Sequence, residues 1–303
     1  MSKRSPRSPP ADSRTAMTDT APTVQTTLIL LGTGMPRPDP MCSGPASAVV
    51  VGGQVFLFDA GPGVMRRMAA AGLPIDGVDA LFLTHLHSDH TLGYPDLIFT
   101  SWVMGRREPL QAYGPKGLRR MTKHILEAWK EDVDVRITGL EQAAADGYQV
   151  DVHEIVASHK SVVVYERDGV RISAFPVRHG SWKHAFGYRI DTADRSIVIS
   201  GDTRPCDTLL DAARGVDILL HEVYPDSGLA PELREGGEEW PSYMREFHTS
   251  DLELGAIAAV AQPRLLVLHH IVRMGSTDAE LLAAIRAGGF TGETVIGQDL
   301  DWF

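Results

Sequence analysis

The stretch Thr84-His85-Leu86-His87-Ser88-Asp89-His90-Thr91-Leu92-Gly93 constrains this chain more than any other. Three imidazoles and a carboxylate fall between His85 and His90, directly after the apolar run Ala80-Leu81-Phe82-Leu83, which reads as a buried strand. Side chains on an extended segment alternate with period two, so His85 and His87 leave the strand end in one direction and can grip one ion. The turn that follows brings Asp89 and His90 back toward the same space, where they can hold a second. Neutral imidazole and carboxylate are preferred ligands of zinc and similar ions, so the pattern is far more specific than a lone histidine or a lone glycine motif. The bland alternative is a polar loop with satisfied histidines.

The same arrangement recurs downstream. Residues 172–177 end just before His179, Ile197-Val198-Ile199-Ser200 runs to Asp202, and residues 265–268 run to His269-His270. Four apolar strands thus each deliver a ligand-type side chain past their carboxyl ends, the edge at which open α/β sheets bind ligands. Short apolar runs broken by Gly, Pro and Asp predict a sheet-rich α/β chain from Thr26 onward. Residues 28–31, 110–113 and 169–177 read as strands, and 48–51 with 55–58 as a hairpin across Gly52-Gly53. Helices are expected up to about residue 71 and over 96–104, 116–129, 251–261 and 278–287, the fourth capped by Thr249 or Ser250. Residues 132–167 alternate. Asp59, at a strand end, either orients a ligand histidine or caps the helix after it. Gly32-Thr33-Gly34 and Gly61-Pro62-Gly63 lack the spacing and the lysine of nucleotide-binding loops.

Composition narrows the partners. No apolar run among the 303 residues approaches the length of a transmembrane helix, about 20 residues, so no membrane contact and a cytoplasmic location are expected. Cys42 and Cys206 make no disulfide framework and read as structural thiols in a reducing compartment. Residues 1–24, rich in Ser, Pro and Thr, lack the apolar core of a secretory signal and read as a disordered tail. That tail carries a net charge of +2, so the rest of the chain stands at −12 against −10 for the whole. An acidic body disfavours nucleic acid as a partner, without excluding it, because backbone binding relies on Lys and Arg neutralising many phosphates. The acidic connection 225–247 contains Trp240 and Tyr243 and reads as a lid or an entrance wall. A homodimer is allowed.

With these residues placed, the chain resembles the metallo-β-lactamase fold superfamily, in particular the group of ribonuclease Z and the arylsulfatase-like hydrolases. The resemblance runs from about residue 28 to the end. It rests on Leu31-Gly32-Thr33-Gly34, Leu57-Phe58-Asp59-Ala60-Gly61, the 84–93 stretch, Tyr113-Gly114-Pro115, His179, Phe186-Gly187-Tyr188-Arg189, Ser200-Gly201-Asp202-Thr203, His221-Glu222, His248-Thr249 and Leu268-His269-His270. It implies an αββα sandwich, two mixed β-sheets packed face to face and flanked by helices, with residues 25–303 forming one domain. It further implies that His85, His87 and His179 hold one zinc ion and Asp89, His90 and His270 another, with Asp202 bridging; other divalent ions are allowed. The family has Thr or Tyr before the last ligand, which makes His270 the ligand and His269 the departure. Asp89 would also accept a proton from water, and His248, oriented by Glu222, would protonate the leaving group.

The expected activity is a zinc-dependent hydrolase in which a di-metal-activated hydroxide attacks an ester. Because the body is acidic and no Gly- and Pro-rich arm precedes His179, a small or aryl phosphodiester or sulfate ester is the first expectation, with Trp182, Trp240 and Tyr243 as wall residues. A tRNA 3′-processing endoribonuclease of the ribonuclease Z type is the alternative, followed by a lactonase or β-lactamase.

Overall fold

The structure, a computed structural model, describes residues 25–157, 159–229 and 240–303. The tail 1–24 and the acidic part of the connection at 230–239 lie outside the described residues. One sheet comprises β1 (Thr26–Gly32), β2 (Ala46–Val51), β3 (Gln54–Phe58), β4 (Ala80–Phe82), β5 (Leu110–Gly114) and β6 (Val150–Glu154), side by side in chain order. The other comprises β7 (Val162–Arg167), β8 (Val170–Pro176), β9 (Phe186–Asp191), β10 (Ser196–Ile199), β11 (Ile218–Val223), β12 (Leu265–Ile271) and β13 (Glu293–Ile296), also in chain order. Each sheet is mixed. β1 to β3 and β7 to β10 pair antiparallel, whereas β3 to β6 and β10 to β13 pair parallel.

Strand alternation sorts the apolar side chains into three layers. Phe56, Phe58, Phe82, Ile172, Tyr188 and Leu220 point between the sheets and form the central layer. Leu57, Leu81 and Ala112 face outward on the first sheet, under α1 (Val64–Ala70), α3 (Tyr94–Val103) and α4 (Leu118–Ala128). Val198, Leu219, Leu266 and Leu268 face outward on the second, under α6 (Asp207–Ala213), α8 (Asp251–Ala261) and α9 (Asp278–Ala287). This is the αββα sandwich expected from the sequence. Full burial of each such side chain contributes roughly 1.5–3 kcal/mol, enough for these layers to dictate the sheet-on-sheet arrangement.

Local departures from the sequence reading have physical causes. Within the stretch read as alternating, α5 (Lys130–Thr138) is helical; it buries only Val133, so no apolar stripe announces it, and it carries the i,i+4 pairs Lys130–Asp134 and Asp132–Arg136. The end of the acidic connection is α7 (Trp240–Phe247), which packs Met244 inward. Ser250, not Thr249, caps α8, in a reciprocal capping box with Glu253. β12 continues through Ile271, so His269 and His270 lie within the strand rather than beyond it.

The loops beneath α2 (Ser88–Thr91) meet at two glycines that tolerate no side chain. A Cβ on Gly61 would lie 2.7 Å from the Asp89 carbonyl oxygen, and one on Gly93 2.8 Å from that of Ala60. Backbone bonds from Ala60 N to His90 O (2.9 Å) and from Gly93 N to Ala60 O (2.8 Å) lock the same crossing, so the β3 end is clamped to the turn carrying Asp89 and His90. Among the described residues, no helix is long and apolar enough to cross a membrane. Cys42 and Cys206 are both free thiols.

Candidate metal centre

The carboxyl ends of β4, β8 and β10, together with β12 itself, bring the predicted side chains to one place. His85, His87, His179 and Asp202 form one group whose ligand-type atoms lie within 4.8 Å of one another, and Asp89, His90 and His270 form a second. The groups adjoin: the rings of His85 and His90 are 4.2 Å apart, and Asp202 stands between them. Its Oδ2 lies 3.9 Å from Nε2 of both His85 and His179 and 3.6 Å from His270 Nε2, while its Oδ1 lies 3.4 Å from His90 Nε2.

Hydrogen bonds behind the rings set which nitrogen faces the centre. Asp59 accepts bonds from Thr84 N (2.8 Å), from the Thr84 hydroxyl (2.9 Å) and from His90 Nδ1 (2.8 Å). A carboxylate only accepts, so His90 donates from Nδ1 and turns Nε2 toward Asp89 and Asp202, leaving that nitrogen to hold either a proton or a metal ion. The Thr84 hydroxyl spends its one hydrogen on Asp59 and must accept at 2.9 Å from His85 Nδ1, which leaves His85 Nε2 bare. His179 Nδ1 donates to the Phe247 carbonyl at 2.7 Å, baring its Nε2. Asp59 therefore orients ligand-type histidines, one directly and one through Thr84. The helix-capping alternative does not occur, since the N-cap of α1 is Gly63 and no side chain caps that helix. Thr84 was given no role of its own by sequence reasoning; a hydroxyl between a buried carboxylate and a histidine is the signal that would have found it.

Electrostatics favour cations here. Burial works against protonation of His90, yet Asp202 and Asp59 hold its pKa well above the ordinary value. Burial likewise opposes protonation of His270, and Asp202 and Asp89 push it up to about 9. Burial would raise the pKa of Asp202, but His270 and His90 hold it well below the usual carboxylate range. By contrast, burial, reinforced by the neighbouring His90, keeps His85 well below its ordinary value, and burial, reinforced by His248, lowers His179 to about 4. Buried carboxylates beside bare imidazole lone pairs form a donor set that fits divalent ions, and His90 Nε2 has no hydrogen-bond partner among the described residues.

The two adjacent histidines of β12 separate clearly. His270 adopts φ 45°, which breaks strand alternation and turns its Nε2 to 3.3 Å from Asp89 Oδ2. His269 is buried with neither ring nitrogen hydrogen-bonded among the described residues, and burial with neighbouring His270 pushes its pKa down to about 3.

His248 and Glu222 stand beside the two ligand-type groups. Glu222 is fully buried, and its Oε1 accepts from Thr203 N (3.1 Å) and Thr249 N (3.2 Å). His248 Nδ1 lies 3.3 Å from the same oxygen, close enough to pair but not aligned as a hydrogen bond. A cavity of about 750 Å³ opens over the site, lined by His87, Asp89, Asp202, His248 and His270 on one side and Arg37, Trp240 and Tyr243 on the other. Arg37 was not singled out from the sequence, where it is one of several residues in a proline-rich loop. Trp182, expected as a wall residue, lies elsewhere: its indole Nε1 donates to His87 Nε2 at 2.7 Å, and its ring lines a groove beside the centre.

That indole bond has a consequence for metal loading. An indole N–H only donates, so His87 Nε2 accepts and the ring proton sits on Nδ1, the atom 2.9 Å from His85 Nε2 and 3.1 Å from His179 Nε2. Coordination through Nδ1 requires the opposite tautomer, which leaves two N–H groups facing each other. Zinc titration of metal-stripped protein should therefore change tryptophan emission, and Trp182→Phe should remove most of that change; an unaltered response in the variant refutes the coupling. Asp59→Asn keeps the volume but replaces an acceptor by a donor facing His90 or Thr84. It should weaken zinc binding about 10–100-fold in a chelator competition, with unchanged circular dichroism.

Comparison with known proteins agrees with this architecture. The family model described as Beta-lactamase superfamily domain matches residues 54–271. A relative named Ribonuclease Z from Mycobacterium bovis is 35% identical over 277 residues, covering 90% of this chain and 96% of the relative. Among solved structures, the metallo-beta-lactamase fold protein YhfI from Bacillus subtilis superposes with a TM-score of 0.69 at 18% identity, covering 92% of this chain and 99% of that one. The short form of human tRNase Z superposes with a TM-score of 0.68 at 21% identity, covering 91% and 98%. This fold implies a divalent metal, usually zinc. The ribonuclease Z side of the expected resemblance is met among these relatives; the arylsulfatase-like side finds no support in them. Matched in sequence from β3 to β12 and in fold over nearly all its length, the chain belongs to the metallo-β-lactamase superfamily.

Proposed function

We propose that this chain, with residues 25–303 acting as one domain, is a zinc-dependent endoribonuclease of the ribonuclease Z type that removes 3′ extensions from precursor tRNA. The observation that carries the reading is full-length similarity: relatives bearing that name are 35–37% identical over about nine-tenths of this chain and 93–96% of their own length. This reverses the order reached from composition, which set a small or aryl phosphodiester or sulfate ester first and RNA second. Net charge averages the whole surface, whereas phosphates are neutralised locally, so an acidic chain is a weak argument against RNA. The cavity itself does not separate the two: the stacked rings of Trp240 and Tyr243, 5.5 Å apart, suit a nucleobase as well as an aryl ester.

His85, His87 and His179 would hold one zinc ion, Asp89, His90 and His270 the other, and Asp202 both. Bound there, zinc would supply an acidified water, of pKa roughly 7, as a nucleophile available at neutral pH. Asp89 is suited to take the proton of that water. Its burial favours the neutral acid, but the hydrogen bond from His270 keeps it below the usual range and hence ionised. His248 is suited to protonate the leaving oxygen as the P–O bond breaks. Burial opposes its positive charge, but Glu222 raises its pKa above the ordinary value, which favours the protonated ring that a general acid needs. The products are a free hydroxyl on one fragment and a phosphate monoester on the other.

Zinc-loaded protein should release the 3′ trailer of a precursor tRNA, and His87→Ala should abolish release. A panel of bis(p-nitrophenyl) phosphate, p-nitrophenyl sulfate, a lactone and a cephalosporin runs alongside; turnover of any of these with an untouched precursor refutes the proposal. Because His248 must be protonated to act, the alkaline limb of its kcat/KM profile follows its pKa. Glu222→Gln removes the charge that raises that pKa, so the limb should move to lower pH; an unmoved limb excludes His248 as the acid.

A further inference from the structure

Outside the cavity, exposed cations gather on one face of an otherwise acidic chain. Arg119, Arg120 and Lys123 recur at three- and four-residue spacing along α4, and Lys116 precedes them at the turn into the helix. All four are exposed, and together they run about 10 Å along the helix. Two hollows, of about 570 and 890 Å³, meet along this face, sharing Lys116, Arg120 and His124. Two carboxylates border it, and the one beside Lys123 forms only an exposed ion pair, of the weak kind that a phosphate can displace. Glu154 accepts the backbone N–H groups of Gly117 (2.7 Å) and Arg119 (3.2 Å), and Glu127 pairs with Lys123 (3.7 Å) and His124 (3.0 Å). The smaller hollow ends at Leu86 and Trp182, and Trp182 is hydrogen-bonded to His87. The groove therefore leads from a cationic helix face to the edge of the candidate metal centre.

We infer that this α4 groove is a docking track for the phosphate backbone of RNA, with Lys116, Arg120 and Lys123 as its phosphate contacts. The inference rests on the ribonuclease reading and names the surface that would hold the substrate beyond its scissile bond. Concavity favours a nucleic acid strand over a lipid surface, since a bilayer calls for a flat or protruding face. Exposed Lys and Arg contacts to phosphate position a strand without reading its sequence, and they make binding steeply salt-dependent. The apolar floor of Leu86, Met121, Ile125 and Trp182 gives unpaired bases a surface to lie on.

The test is fluorescence anisotropy with a labelled RNA hairpin carrying a single-stranded 3′ extension, added to the full-length zinc-loaded protein across a salt series. Lys116→Ala/Arg120→Ala/Lys123→Ala should raise Kd at least 10-fold and lower the slope of log Kd against log salt by about 2 to 3. Lys116→Arg/Lys123→Arg should bind like wild type, and all variants should melt at the wild-type temperature because the replaced side chains are exposed. Wild-type affinity and slope in the triple variant overturn the inference, as does failure of the wild type to bind the hairpin, or binding of phosphatidylserine vesicles in its place. Cleavage of the same RNA is scored separately. Groove-dependent binding without cleavage sinks the ribonuclease reading and leaves the groove standing, whereas cleavage indifferent to the triple variant does the reverse.

Discussion

The Asp59 carboxylate is the contact on which the centre depends. It accepts the Thr84 amide, the Thr84 hydroxyl and His90 Nδ1, and so decides which nitrogen of two separate histidines faces the centre. It does so from φ 59°, a left-handed conformation that Asp tolerates better than most residues but that still costs on the order of 1–3 kcal/mol. That cost is met by the surrounding crossing, in which the close approaches at Gly61 and Gly93 pin the β3 end to the Asp89-His90 turn. A side chain at either glycine would move the Asp59 carboxylate relative to His90, and tautomer control would go with it.

Charge balance follows from this geometry. Asp59, Asp89 and Asp202 are all buried, and no lysine or arginine reaches them among the described residues. The pull they exert on protons at His90 and His270 is the same pull that would hold divalent cations. The Glu222–His248 pair feels the centre only secondarily, through Asp202 and His270. Glu222 is held by two backbone amides, of Thr203 after β10 and of Thr249 before α8, and is the largest of the charges that favour a proton on His248. The Asp89 carboxylate on one side and the His248 imidazole on the other thereby sit in different local environments within one cavity.

Charge distribution also explains why composition pointed toward small esters. Averaged over the chain, the net charge of −10 describes a surface that repels polyanions. The average includes acidic side chains such as Glu131, Asp132 and Asp134 on α5, whereas the α4 face carries Lys116, Arg119, Arg120 and Lys123 together. A Debye length of about 10 Å at 0.1 M salt makes the local set the one a bound strand meets.

The sequence by itself determined the ligand-type residues of the 84–93 stretch, the downstream strands that lead to His179, Asp202 and the His269-His270 pair, and the sheet-rich α/β character, while the layered sandwich was implied by the family resemblance. These were legible because hydrophobic periodicity and strand-end position are local properties. It did not reveal α5, whose stability rests on ion pairs rather than an apolar stripe, nor the relay through Thr84, nor the place of Trp182 behind His87. Those depend on which backbone meets which across many residues. Only the tertiary structure groups His270, and not His269, with Asp89 and His90, because a single left-handed φ reverses the alternation from which a strand-based reading would assign the inward side chain. It also decided the role of Asp59, since its partner His90 reaches it only when the β3 end and the α2 turn are packed without a Cβ between them.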